Sequence, residues 1–137
     1  MKSQIFDASS IYTLVKHKGG DSSKTLRTSA TTALAAYELG NAVWRETHLL
    51  KLLTEDEAKE LIGLIYSLLE TMTIIPFEPR RDGGATLESA LATDLSFYDA
   101  SYLSAAIKTG YTLVTEDKRL AKSATKIGVR TISWRDL

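Results

Sequence analysis

The chain has 137 residues, 44% of them hydrophobic, which is enough for one compact core and too short to favour two. Lys plus Arg and Asp plus Glu each number 17, so the formal net charge is zero and no global field draws in nucleic acid or an anionic membrane; any polyanion must be held locally. The absence of Cys excludes disulfides and thiolate metal sites, and only two His residues are present, so a bound metal would be oxygen-ligated rather than caged as zinc usually is.

The N-terminus lacks the basic, apolar and cleavage regions of a signal peptide, and no apolar run approaches the ~18 residues of a membrane span, so a soluble, cytoplasmic protein is expected. Ser3-Gln-Ile-Phe-Asp7 reads as a short strand, and Ala8-Ser-Ser10 as a turn into the apolar helical segment Ile11-Tyr-Thr-Leu-Val15. Lys16 to Ser23, with two adjacent glycines and several turn formers, reads as a surface loop. The β-branched residues between Leu26 and Leu34 permit a short strand before a helical run from Ala35 to His48. Thr54-Glu-Asp-Glu57 is a capping box, followed by Leu61, Leu64, Ile65, Leu68 and Leu69 at helical spacing. Met72-Thr-Ile-Ile75 has the character of a short buried strand stopped by Pro76. Pro79 to Gly84 reads as a turn before an amphipathic helix containing Leu87, Ala90 and Leu91. Ser96 then caps a helix whose buried stripe is Leu103, Ala106 and Ile107, and Gly110 ends it. A strand at Tyr111 to Thr115, a helix at Asp117 to Thr125 and a strand at Gly128 to Ser133 complete the chain, with no internal repeat, linker or low-complexity tract.

Short strands alternating with helices predict an α/β domain with a parallel sheet covered on both faces. In right-handed βαβ units strand C-termini and helix N-termini meet along one edge of the sheet, and ligand sites concentrate there. Asp7, Glu38, Asp99 and Asp117 all fall at that edge. Four uncompensated carboxylates in one pocket repel one another, and a divalent cation removes the difficulty. Magnesium or manganese, which take hard oxygen ligands and retain waters, suit such a set and could activate a water for attack on a phosphodiester. No nucleophile elbow and no phosphate-binding glycine loop is present, which counts against acyl transfer and nucleotide hydrolysis of those types. Each acid also has an ordinary use: Asp99 can complete a cap with Ser96, Asp117 can cap its helix, Asp7 can form an Asx turn, and Glu38 can be a solvated surface acid. The residues alone leave both readings open.

Four segments in order resemble those of PIN-domain ribonucleases, particularly the VapC-like toxins of toxin–antitoxin pairs: Ile5-Phe-Asp7-Ala-Ser9, Tyr37-Glu38-Leu-Gly-Asn41-Ala-Val-Trp44, Tyr98-Asp99-Ala-Ser-Tyr-Leu-Ser-Ala-Ala106 and Leu113-Val-Thr115-Glu-Asp117-Lys-Arg-Leu120. The resemblance covers essentially the whole chain and implies a single PIN-like domain over 1–137, a three-layer α/β/α fold with a parallel sheet of order 3-2-1-4-5. It implies that Asp7, Glu38, Asp99 and Asp117 are catalytic and hold one or two magnesium or manganese ions, supported by Thr115, Asn41 and Ser9. Strand-end hydroxyl, helix-surface amide and N-cap are the ordinary uses of those last three. Glu116 beside Asp117 remains a competitor for the last position, and the polar stretch from Lys16 to Thr32 departs from a plainly hydrophobic second strand.

An RNA backbone needs local cations, and Lys118 and Arg119 after the last acid are the first candidates for substrate contacts, with Lys122, Arg80, Arg81, Lys16 and Lys18 further off. The resemblance implies RNA as substrate, a homodimer and an antitoxin protein as partners, and no membrane. A signalling receiver domain is the first rival, but it requires an aspartate ending the third strand, where this chain has Ile75 and Pro76. The second is a PIN-like module that binds RNA or protein without cleaving.

Overall fold

Ile5 and Phe6 point to opposite faces of a strand and neither is exposed at all, so helices must cover both sides. The computed structural model describes residues 4–137. The first strand, β1 (Gln4–Phe6), leads directly into α1 (Ala8–Lys18), capped by the Asp7 side chain. Ser3, expected to open the strand, lies outside the described residues. Ala8-Ser-Ser10 is therefore the first helical turn and not a separate turn.

The expected loop at Lys16 to Ser23 is instead helical. Gly19, at φ +55°, ends α1, a 3-10 turn at Gly19–Ser22 follows, and α2 (Ser23–Leu26) continues it. Ser22 Oγ donates to Leu14 O at 3.3 Å and Leu26 is fully buried, so one hydroxyl and one anchor fix a stretch whose composition suggested disorder.

The expected second strand is β2 (Ala30–Thr32), and α3 (Leu34–Trp44) follows, its last part passing into a π-helical turn at Arg45–Leu49. The capping box at Thr54 is present and starts α4 (Glu55–Leu69). β3 (Thr73–Ile75) is an edge strand with Thr73 and Ile74 exposed, and so less buried than its composition implied.

The next helix, α5 (Pro79–Thr93), takes in the whole of Pro79 to Gly84, which had read as a turn. Pro79 needs no N–H in the first turn, and the Asp82 carboxylate accepts Glu78 N at 2.8 Å, so the helix start is satisfied despite Gly83 and Gly84. Leu87 and Leu91 face outward, leaving Ala90 and Thr86 as the packed face. α6 (Phe97–Thr109) is capped by Ser96 and ended by Gly110 at φ +74°, with Leu103 and Ala106 buried as expected but Ile107 half exposed. β4 (Thr112–Val114), α7 (Lys118–Lys126), β5 (Thr131–Ile132) and a 3-10 turn at Trp134–Asp136 close the chain.

All pairings are parallel and the order is β3-β2-β1-β4-β5, the arrangement expected. Phe6 and Val114 join α1, α3 and α4 in one core, while Ile5 and Leu113 join α6 and α7 in the other. The direction of winding reverses between β1 and β4, which opens the crevice where ligands bind in sheets of this type.

Beside that crevice the fully buried Thr31 Oγ1 donates to Phe6 O at 2.7 Å, tying β2 to the residue before Asp7. Thr31→Val keeps the shape and deletes this bond. It is expected to lower the urea unfolding free energy by about 1 kcal/mol with an unchanged denaturant slope; a loss within experimental error would show the bond to be dispensable.

Candidate active site

Asp7 sits where β1 gives way to α1, and its backbone N–H donates to Val114 O at 3.1 Å, extending the ladder between β1 and β4. Its Oδ1 accepts Ser10 N at 2.9 Å and Ser9 Oγ at 2.7 Å, and its Oδ2 accepts Thr115 Oγ1 at 2.5 Å. The residue is only 4% exposed. Burial pushes its carboxyl above the ordinary range, and the bonds from Thr115, Ser10 and Ser9 pull part of the way back.

Glu38, in the second turn of α3, is held by the fully buried Tyr102 of α6, whose Oη donates to Glu38 Oε1 at 2.7 Å. Burial raises its carboxyl, the Tyr102 bond opposes this, and the Asp99 and Asp7 charges raise it further. Burial and then the Glu38 charge push the Tyr102 hydroxyl up as well, so it stays a donor.

Asp99 occupies the first turn of α6, its N–H donating to Ser96 Oγ at 3.1 Å. Its carboxyl is raised by burial and by Asp117, with Ser96 and Arg119 acting the other way. Asp117 caps α7 through Oδ1, which accepts Arg119 N at 2.9 Å and Leu120 N at 3.2 Å, and its own N–H donates to Thr115 Oγ1 at 3.0 Å. The Thr115 hydroxyl thus joins the first acid to the last.

The four acids therefore stand at one sheet edge, near enough for their charges to act on one another in sequence from Asp7 and Glu38 to Asp99 and Asp117. None of them is in a salt bridge among the described residues. Nor are any three acidic or His side chains among the described residues gathered closely enough to hold an ion directly. Hard carboxylate oxygens at this spacing suit a cation that keeps much of its own water, as magnesium does.

Ser9 touches Asp7 and also accepts Glu116 N at 3.1 Å, from within the first turn of α1. Asn41 lies one helical turn beyond Glu38, exposed on the same groove. Glu116 turns the other way: Oε1 accepts Ser133 Oγ and Oε2 accepts Trp134 N, both at 2.9 Å. Lys118 is exposed, and Arg119 Nη2 donates to Asp94 O at 3.1 Å, which ties the start of α7 to the turn before α6. Lys16 and Arg81 are engaged by Glu46 and Glu78, each at 2.7 Å. Ser10 and Tyr102 were not singled out by the sequence reading. A tyrosine within the buried stripe of α6 is the available signal for the second, because a buried phenol needs a partner.

A PIN domain model matches residues 5–126. The curated protein Exonuclease VapC9 of Pyrobaculum aerophilum is 32% identical over 132 residues, covering 96% of this chain and 93% of the relative. Ribonuclease VapC3 of the same organism is 33% identical over 93 residues, covering 67% of this chain and 68% of the relative. The crystal structure of PAE2754, also from Pyrobaculum aerophilum, superposes with a TM-score of 0.79 at 27% identity, covering 98% of this chain and 92% of that one.

Asp7→Asn removes a buried charge and keeps most of the hydrogen-bonding capacity. Because the folded carboxyl titrates above its unfolded counterpart, the wild-type fold loses stability as pH rises from the unfolded pKa through the folded one, and the variant does not. In metal-free buffer the variant's Tm is expected to gain on that of wild type as pH rises above the ordinary carboxylate range. A margin that does not change with pH would contradict a raised Asp7.

Proposed function

The chain belongs to the PIN-domain family, and from that premise we propose that it is a metal-dependent endoribonuclease, the toxin of a toxin–antitoxin pair, acting in the cytoplasm as one PIN unit over residues 1–137. The observation that carries this reading is Asp7, a carboxylate almost wholly buried, held by three donors and paired with no cation among the described residues, at the edge where three more acids stand. An arrangement that raises its own carboxyls is costly unless a ligand uses it.

In this reading Asp7, Glu38, Asp99 and Asp117 would hold magnesium or manganese in part through the ion's own waters. The ion supplies Lewis-acid activation of water and positive charge for the leaving oxygen of the phosphodiester. Ser9, Ser10 and Thr115 fix both oxygens of Asp7 in advance, and Tyr102 does the same for one oxygen of Glu38. Asp117 commits one oxygen to capping and keeps the other free for the ion. Asn41 stands on the groove beside Glu38, where it can orient a substrate group, and Lys118 and Arg119 contact the RNA backbone. Leu87 and Leu91 on α5 and Ile107 on α6, all at least half exposed, supply apolar faces for the homodimer and the antitoxin.

The two VapC relatives carry different names, exonuclease and ribonuclease, so the mode of attack needs its own test. A circular single-stranded RNA has no ends, and its cleavage in manganese is the expected result. Asp7→Asn and Asp99→Asn should each lower the rate by more than the ~10–100-fold typical of losing an outer hydrogen-bond partner of a metal site. A folded protein that binds RNA but neither binds manganese nor cleaves would support the non-catalytic module instead.

Tyr102→Phe deletes only the donor to Glu38. It is expected to weaken manganese binding by about 10–100-fold, measured by calorimetric titration, with an intact fold by circular dichroism. Unchanged affinity would remove Tyr102 from the site.

A further inference from the structure

Next to the acids, at the C-terminal ends of β2 and β3, lies a cavity of about 190 Å³ that the reactions above do not use. Thr32 and Ile75, the last residues of those strands, form its floor side, and Phe77, Phe97 and Tyr98 bring three aromatic rings to its walls. Phe77 and Phe97 meet edge to face, with centroids 6.1 Å apart at 73°, so their geometry is set by each other. Lys108 Nζ donates to Pro76 O at 2.8 Å and to Asp82 Oδ2 at 3.0 Å, bracing the linker that carries Phe77.

Two features place the cavity against the acids. Thr32 is 7% exposed, and its Oγ1, which makes no well-formed hydrogen bond, lies beside the Tyr102 hydroxyl that holds Glu38, so the cavity abuts the acid site. The cavity is also continuous with the groove of Glu38 and Asn41, because Leu34 and Tyr98 line both. Tyr98, which lines the cavity, is adjacent in sequence to Asp99, so the cavity lies beside the third acid.

We propose that the cavity is a nucleobase subsite, which seats one unstacked base of a single-stranded RNA against the aromatic rings while its backbone runs along the acidic edge. The proposal rests on the reading that this chain acts on RNA. Aromatic side chains hold splayed bases by stacking, and the base edges supply the donors and acceptors that an aliphatic side chain lacks. The volume is below the ~300–1,000 Å³ of drug-sized pockets, as suits a single flat ring system. Phe77 and Phe97 thereby become specificity-determining residues.

The test reads binding and not cleavage. A fluorescent single-stranded RNA octamer, and versions of it with one abasic nucleotide at each position in turn, are titrated with the protein by anisotropy in calcium, a hard cation for the carboxylates, with gels to verify that the RNA stays intact. Removal of the base at one position is expected to weaken binding about tenfold in wild type. In Phe97→Leu, which keeps an apolar surface and loses the ring face, and in Phe77→Ala, the intact RNA should bind as weakly as the abasic one. Both residues are partly exposed, and thermal melts verify the fold. RNA that binds equally with and without every base, or full binding by Phe97→Leu, assigns the cavity to an apolar protein side chain and overturns the proposal while leaving the nuclease reading intact. No RNA binding at all overturns both. Base-dependent binding without cleavage in manganese upholds the subsite and removes the catalytic reading.

Discussion

The burial of Asp7 between β1 and β4 is the constraint on which the rest of the site depends. One residue continues the sheet ladder through its N–H, starts α1 through Oδ1, and reaches Thr115 on the neighbouring strand through Oδ2. The first and third of these bonds tie the two strands together at the point where the sheet reverses its winding, and the second sets the helix that leaves it. Every other acid is placed relative to that junction. Asp117 follows Thr115 by two residues and takes its N–H bond from the same hydroxyl, so the position of the last acid is coupled to that of the first by a single oxygen atom.

Capping and ligand binding, which compete as explanations in the sequence, are compatible in the structure because they use different atoms. Asp7 and Asp117 are N-caps, and Asp99 lies in a first turn. Three helix N-termini therefore direct partial positive charge at one edge, which favours carboxylates there and lowers the cost of gathering them without a cation. Glu38 is the exception. It lies inside α3, beyond the first turn, and its compensation comes from the Tyr102 hydroxyl across the core. Removing that phenol would leave Glu38 with burial and two like charges against it.

The local signals in the sequence were strong where the chemistry is local. The Thr54 capping box, the Ser96 cap, the Gly110 stop and the alternation of strands with helices need only neighbouring residues, and they predict the layered parallel-sheet fold that the structure has, while the strand order follows from the family resemblance. Asp7 and Glu38 stand out because they interrupt short apolar stretches, and the family resemblance supplies the full set of four acids. Features that depend on distant partners were not visible. Tyr102 and Glu38 are 64 residues apart, and the helical character of Gly19 to Leu26 depends on a serine bonded back to Leu14. Leu87 and Leu91 show a further limit: periodicity identifies a face of a helix, but it does not say whether anything covers that face.

Glu116 and Asp117 show how the fold divides two adjacent acids that composition cannot tell apart. At the end of a strand successive side chains leave on opposite sides. Asp117 goes to the edge with the other acids, and Glu116 clasps Ser133 and Trp134 at the start of the C-terminal turn. The Trp134 ring lies against His17 of α1, with centroids 4.5 Å apart. The backbone N–H of Glu116 donates meanwhile to Ser9, which bonds Asp7. The segment from Thr115 to Asp117 is thereby held from both sides, by the acid cluster on one and by the C-terminal turn packed on α1 on the other. Glu116 is structural for the same reason that Asp117 is available: fixing the turn through Glu116 is what leaves an oxygen of Asp117 unused at the crevice.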